Sequence, residues 1–160
     1  MKKFEIKSTI YEYDSINDLA KEEKILIKKA REAAKKSYAP YSNFNVGACV
    51  LLENGEYFQG NNQENAAYPS GLCAERVALF YVNSKFPDIP VKAIAISVYS
   101  NSAYLDIPVP PCGSCRQVIL ETEMRFNSPI KIILAGEKKI QIINSIKDLL
   151  PLNFSRRIMK

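Results

Sequence analysis

Two apolar runs constrain the architecture more than any other feature of the chain. Phe44 to Leu52 and Val91 to Tyr99 are apolar nearly throughout, and a strand of that composition is stable only where both of its faces are covered. The cover is legible nearby. From Glu22 to Ser37 the apolar residues Leu26, Ile27, Ala30, Ala33 and Ala34 recur at helical spacing with charges elsewhere, which predicts an amphipathic helix. Ser15 and Asp18 are candidate N-caps ahead of it. Asn54-Gly55 predicts a hairpin returning through Tyr57-Phe58-Gln59. Leu72 to Asn83 and Cys112 to Met124 predict two further helices, and Ile130 to Leu134 and Ile140 to Ile143 two strands around a turn at Gly136. Ser145 is expected to cap a short last helix ending at Leu149-Leu150-Pro151, and Ser100 to Pro111 reads as a loop. Helices alternating with buried strands imply an α/β fold, a mixed sheet of about five strands covered on both faces in three layers, α/β/α.

The 160 residues predict one domain spanning 1–160. Residues 1–20 stand apart. Phe4, Ile6, Ser8 and Ile10 alternate loosely over 3–13, which suggests an added edge strand. The start of the chain has no apolar run of signal-peptide type, and no run approaches membrane-spanning length, so the expected location is cytoplasmic.

Chemistry gathers in two short motifs, each following turn-forming residues and opening a predicted helix. One is Cys73-Ala74-Glu75-Arg76; the other is Pro110-Pro111-Cys112-Gly113-Ser114-Cys115-Arg116-Gln117. Cys-x-x-Cys alone fits a redox pair, half of a structural zinc site, or chance. With Cys73 added, three thiols at two helix N-termini can converge on one ion. Helix N-termini favour the thiolate, and three protein ligands leave a fourth position for water. The chain contains no histidine. That excludes a Ser-His-Asp triad, a Cys-His pair and imidazole ligation, and leaves Glu, Asp, Lys or Tyr as a general base. Glu75 lies two residues past the first thiol.

Three thiolates on a dication leave a net negative site, which makes a bound water a weaker acid. Arg76 and Arg116, each beside a ligand, are candidates to donate to cysteine sulfur. The fourth cysteine, Cys49, lies within Val46-Gly47-Ala48-Cys49-Val50 and reads as a small core residue; as a fourth ligand it would instead close a structural site. The net charge of +5 comes mainly from one helix (Lys28, Lys29, Arg31, Lys35, Lys36) and the tail (Arg156, Arg157, Lys160). A solvated helix face and a basic terminus account for it better than a nucleic-acid stripe.

These motifs resemble the signature of the zinc-dependent nucleoside deaminases, Cys-Ala-Glu followed by Pro-Cys-x-x-Cys. The resemblance extends to Tyr38-Ala39-Pro40-Tyr41-Ser42-Asn43-Phe44-Asn45-Val46-Gly47-Ala48, similar to the family's YxPYSxFxVGA segment, to Asn62-Gln63-Glu64-Asn65-Ala66-Ala67-Tyr68-Pro69, and to the closing Leu149-Leu150-Pro151-Leu152-Asn153-Phe154. It is close from Tyr38 to Gln117 and looser to Phe154. Cys rather than His as first ligand points to the small homotetrameric cytidine deaminases and a cytidine deaminase-like fold.

The resemblance implies one Zn2+ per chain on Cys73, Cys112 and Cys115. Glu75 would be the proton shuttle that turns zinc-bound water into hydroxide, so that cytidine and 2′-deoxycytidine lose ammonia and become uridine and 2′-deoxyuridine, a step of pyrimidine salvage. It implies Phe44 stacked on the base, Asn62 and Glu64 on the ribose hydroxyls, the Ala74 backbone on the base edge, and Arg76 beside the thiolates. Tyr68 and Phe154 would help complete a neighbouring subunit's site. After the tail phenylalanine the family often has Gly-Pro, where this chain has Ser155-Arg156-Arg157. Residues 1–20 have no counterpart in the compact pattern and are expected to be an added edge strand used in assembly. Other readings of the same residues are a deaminase of a base analogue, nucleotide or RNA, or a structural-zinc or redox binding module.

Overall fold

A computed structural model describes residues 1–156 and Ile158; of the basic tail, Arg157 and Lys160 lie outside the described residues. The chain runs β1 (Tyr11–Tyr13), α1 (Lys21–Ala34), β2 (Asn45–Leu52), β3 (Tyr57–Asn61), α2 (Ala74–Lys85), β4 (Val91–Ser100), β5 (Ala103–Tyr104), α3 (Gly113–Phe126), β6 (Lys131–Ala135) and β7 (Ile140–Ile143). The strands form one sheet in the order β1-β7-β6-β4-β2-β3, with β5 pairing β4. Only β4 and β6 are parallel, because the crossover between them carries α3; the other pairs are antiparallel.

The apolar runs are buried on both faces by residue parity. Ala48, Val50 and Leu52 of β2, with Ile94 and Ile96 of β4, pack with Ala78, Leu79 and Val82 of α2 and Ile119 and Leu120 of α3. The alternate residues Cys49, Leu51, Ala93 and Ala95 pack with Leu26, Ile27 and Ala30 of α1. The layers are therefore α1, the sheet, and α2 with α3. Small residues set the spacing on the α1 side. A Cβ on Gly47 would lie 2.0 Å from the Ala30 carbonyl oxygen and 2.3 Å from the Ala34 nitrogen, so glycine lets α1 rest its backbone on β2.

Four details depart from the sequence expectation. The sheet has seven strands rather than about five; β1 is the added edge strand expected near the start of the chain, and the strand not expected is the two-residue β5, which lies inside the expected Ser100–Pro111 loop. The alternating stretch 3–13 forms a strand only at Tyr11–Tyr13, where β7 offers the partners Ile142, Gln141 and Ile140. Ser15 does not cap α1: its hydroxyl accepts from the Asn17 amide at 3.1 Å and starts a 3₁₀ turn, Ile16–Asp18, that contains Asp18. The N-cap of α1 is Ala20, whose amide is satisfied by Glu23 at 3.0 Å. The closing helix is a single 3₁₀ turn, Ile146–Asp148, capped by Ser145 as expected.

That last turn is pinned from within. Glu123 of α3 is buried, and its carboxylate accepts from the Ile130 and Ile146 amides, each at 2.9 Å, and from the Ser145 hydroxyl at 2.9 Å. One side chain thus ties the end of α3 to the approach to β6 and to the segment after β7.

Candidate active site

Both cysteine motifs sit where a helix begins. Cys73 is the N-cap of α2 and Cys112 the N-cap of α3, both in extended backbone, while Cys115 is buried in the first turn of α3. The three Sγ atoms lie within 4.8 Å of one another, and Cys73 Sγ is 3.8 Å from Cys112 Sγ. A disulfide needs about 2.05 Å, whereas tetrahedral zinc with Zn–S near 2.3 Å sets its sulfurs about 3.8 Å apart. The spacing fits a shared ion. Among the described residues this is the one group of three or more such side chains placed to hold a metal. Cys49 does not join it: that thiol is buried against α1, across the sheet, and burial pushes its pKa up to about 12. The cluster thus offers three ligands and an open fourth position.

The charge balance asks for a cation. The neighbouring Cys115 thiol holds the Cys73 thiol down at about 5, helped by the Arg76 guanidinium, and the same neighbour together with burial drives Cys115 up. Three thiolates within 4.8 Å of one another would repel, and a dication offsets that charge. Three thiolates need the metal. Arg76 Nη2 donates to Cys73 Sγ at 3.7 Å and to the Gly71 carbonyl at 3.4 Å. Arg116 does not reach sulfur. Its Nε donates to the Pro111 carbonyl at 2.9 Å and Nη1 to the Leu149 carbonyl at 2.8 Å, so it braces the loop carrying Cys112 against the end of the chain. Glu75 is 4% exposed, and burial, more than the neighbouring Cys73 charge, raises its pKa. A carboxyl held that way retains a proton more readily than one in water, a useful property in a group that must both take and give one.

Glu75, Cys73 and Cys112 face a cavity of about 660 Å³, together with Arg76, Phe44, Asn62, Glu64 and Tyr68. That is within the usual range for a small-molecule site. Ala74 is buried at the first position of α2 and does not line the cavity; an N–H there has no acceptor within its own helix. Phe154 lies outside the lining, and its carbonyl accepts from Gln117 Nε2 at 2.8 Å. Val46, Ile96, Val109 and Pro110 form an apolar wall. Val46 and Pro110 lie inside sequence motifs that do not single them out, and Ile96 and Val109 have the residue types of any core, with no local signal that separates them from it.

Asn62 and Glu64 do more than face the cavity. Asn62 Oδ1 accepts from the Val46 amide at 2.7 Å and its Nδ2 donates to the Phe44 carbonyl at 2.9 Å. The Glu64 carboxylate accepts from the Tyr41 amide at 2.9 Å, the Ser42 amide at 3.3 Å and the Ser42 hydroxyl. The Ser42 hydroxyl, followed by the Tyr41 amide, holds the Glu64 carboxyl below its usual range. The β3 exit therefore clasps the turn ahead of Phe44.

Gly60 seats the helix that carries Cys73 and Glu75. A Cβ there would lie 2.6 Å from both the Ala74 carbonyl oxygen and the Ala78 nitrogen. Gly60→Ala is expected to displace the first turns of α2, lowering stability by about 1–3 kcal/mol in urea unfolding and reducing metal affinity with it. Unchanged stability and metal content would show that α2 does not depend on this contact.

The sequence profile described as "Cytidine and deoxycytidylate deaminase zinc-binding region" matches residues 20–127. The cytidine deaminase of Halalkalibacterium halodurans is 44% identical over 97 residues, 61% of this chain and 69% of that protein. The cytidine deaminase of Sporosarcina psychrophila is 37% identical over 136 residues, 82% and 90% of the respective chains. The crystal structure of cytidine deaminase from Burkholderia pseudomallei superposes with a TM-score of 0.70 at 38% identity, covering 81% of this chain and 97% of that one.

Proposed function

The chain belongs to the cytidine and deoxycytidylate deaminase family, and from that premise we propose that it hydrolyses the exocyclic amine of cytidine and 2′-deoxycytidine, giving uridine or 2′-deoxyuridine and ammonia. The observation that carries the reading is one buried carboxylate, Glu75, facing a nucleoside-sized cavity beside three converging thiols. Zinc held by Cys73, Cys112 and Cys115 supplies a Lewis acid that brings the ionisation of water toward neutral pH.

Glu75 accepts the proton that water gives up and passes it to the pyrimidine ring nitrogen, while the hydroxide left behind adds to the adjacent C4. Glu75 then takes the proton of the new C4 hydroxyl and gives it to the exocyclic amine, so that the C4–N bond breaks, ammonia leaves and the C4 carbonyl of uridine remains. The raised pKa of Glu75 suits both directions of transfer. Phe44 offers a ring face to the base, and Asn62 and Glu64 present the ribose-facing polar atoms. The Arg76 guanidinium offsets the negative charge that three thiolates gather.

Free nucleosides fit better than nucleotides. The cavity lining contains one cation, Arg76, already committed to Cys73 and Gly71, against the carboxylates of Glu64 and Glu75. A 5′-phosphate would find no free cation among those residues. Turnover of cytidine and of deoxycytidine 5′-phosphate by the same zinc-loaded sample is expected to favour cytidine by about 10²-fold or more in kcat/KM. Preference for the phosphate would overturn this substrate assignment.

We place the reaction in salvage of preformed nucleosides, in the cytoplasm, where thiol ligands stay reduced; no helix among the described residues is long and apolar enough to cross a membrane. The assembly we propose is a homotetramer. Phe154, 62% exposed and outside the cavity lining, is free to reach a neighbouring subunit's site, while Tyr68, 80% exposed, lines the cavity of its own chain and can extend toward a neighbour from there.

A further inference from the structure

The β4–β5 hairpin contributes no residue to the chemistry above, yet its tip is held in a strained backbone. Ser100 pairs with Ala103, leaving Asn101 and Ser102 as a two-residue turn with φ of 49° and 65°. This is the geometry that Asn-Gly satisfies with least strain. A serine at the second position persists only where its surroundings hold it.

The root of the hairpin is anchored on α1. The Tyr99 and Tyr104 rings meet edge to face at 5.3 Å, Lys35 Nζ lies over both at 5.5 and 5.4 Å, and the Tyr104 hydroxyl donates to the Arg31 carbonyl at 3.2 Å. From that base the tip reaches the turn ahead of Phe44. Asn101 Oδ1 accepts from Asn43 Nδ2 at 3.2 Å, and the Ser100 hydroxyl donates to the Asn43 carbonyl at 2.9 Å. Asn43 is itself left-handed, with φ of 53°, and its carbonyl carbon is bonded to the Phe44 nitrogen. Any rotation at Asn43 swings the Phe44 ring.

Three clasps therefore hold one turn: Glu64 on Tyr41 and Ser42, Asn62 on Phe44 and Val46, and the hairpin on Asn43. Of these, Ser100 and Asn101 alone stay out of the cavity lining. We propose that Ser100 and Asn101 are positioning residues, which fix Asn43 and so set the angle at which Phe44 meets the base of the substrate. This inference rests on the proposed role of Phe44 as the stacking face. Stacking is made equally in the bound substrate and in the transition state, so loosening it raises KM and leaves kcat alone.

The test is steady-state cytidine kinetics on the zinc-loaded full chain. Asn101→Gly keeps the left-handed backbone and removes the acceptor alone; Ser100→Ala removes the donor. Each is expected to raise KM about fivefold and the pair at least about tenfold, as loss of one and then two hydrogen bonds implies, with kcat and zinc content unchanged. Asn101→Asp keeps the acceptor and is expected to restore the wild-type KM. Ser102→Gly relieves the strain and is expected to raise Tm at unchanged KM. Wild-type KM in the folded double variant would overturn the inference, as would a fall in kcat at constant KM or an Asn101→Asp enzyme as impaired as Asn101→Gly. Failure of the wild-type protein to turn over cytidine would instead defeat the functional reading.

Discussion

Glu75→Gln is expected to leave a folded, zinc-loaded protein whose cytidine turnover is lower by about 10²–10⁴-fold, the contribution of a positioned acid-base group. The substitution keeps size and shape at a buried position and leaves all three thiols in place. It removes the one group near them that can exchange a proton with both water and the base. The chain has no histidine, the other carboxylate facing the cavity, Glu64, is committed to Tyr41 and Ser42, and the tyrosines that face it, Tyr41 and Tyr68, are more than half exposed, unlike buried Glu75. The loss should fall on kcat with KM for cytidine little changed, because binding rests on Phe44, Asn62 and Glu64. Wild-type turnover in Glu75→Gln would remove Glu75 from the mechanism.

Cys112→Ala tests the metal site with the least disturbance to packing. Cys115 is buried, so truncating it would leave a cavity as well as a missing ligand, whereas Cys112 is exposed. The expected result is loss of bound zinc and of detectable activity together. A metal that binds only the folded chain and is present at about 100 times its Kd stabilises by about 2.7 kcal/mol. For a domain of this size its loss lowers Tm by about 5–10 °C. Wild-type protein treated with a chelator should fall to the same Tm, while the chelator leaves the variant unmoved. Retained zinc in Cys112→Ala, at full activity, would remove Cys112 from the ligand set.

The apolar runs at 44–52 and 91–99 and the spacing in α1 carried the layered fold, because burial on two faces and on one stripe each leave a local signature. The convergence of Cys73, Cys112 and Cys115 was legible for a similar reason: chemistry at a helix start confines itself to a few residue types at short spacing. Contacts made across the fold were not legible. Arg116 stands beside a ligand in sequence, yet it serves the Pro111 and Leu149 carbonyls. The clasp of Glu64 on Ser42 spans 22 residues and that of Asn101 on Asn43 spans 58. β5 is two residues long, too short for any period to register. The loose alternation over 3–13 suggested an edge strand, but its restriction to Tyr11–Tyr13 is set by the partners that β7 offers, which the local pattern does not disclose.

One ion on Cys73, Cys112 and Cys115, with Glu75 beside it, is what we propose deaminates free cytosine nucleosides. The most direct test follows the near-ultraviolet absorbance of cytidine with purified protein stripped of metal and then reloaded with one equivalent of zinc per chain. The stripped protein is expected to convert none, and uridine and ammonia are expected to form in equal amounts once zinc is restored. Zinc-loaded protein that leaves cytidine and 2′-deoxycytidine intact, or stripped protein that converts them at the full rate, would contradict that proposal.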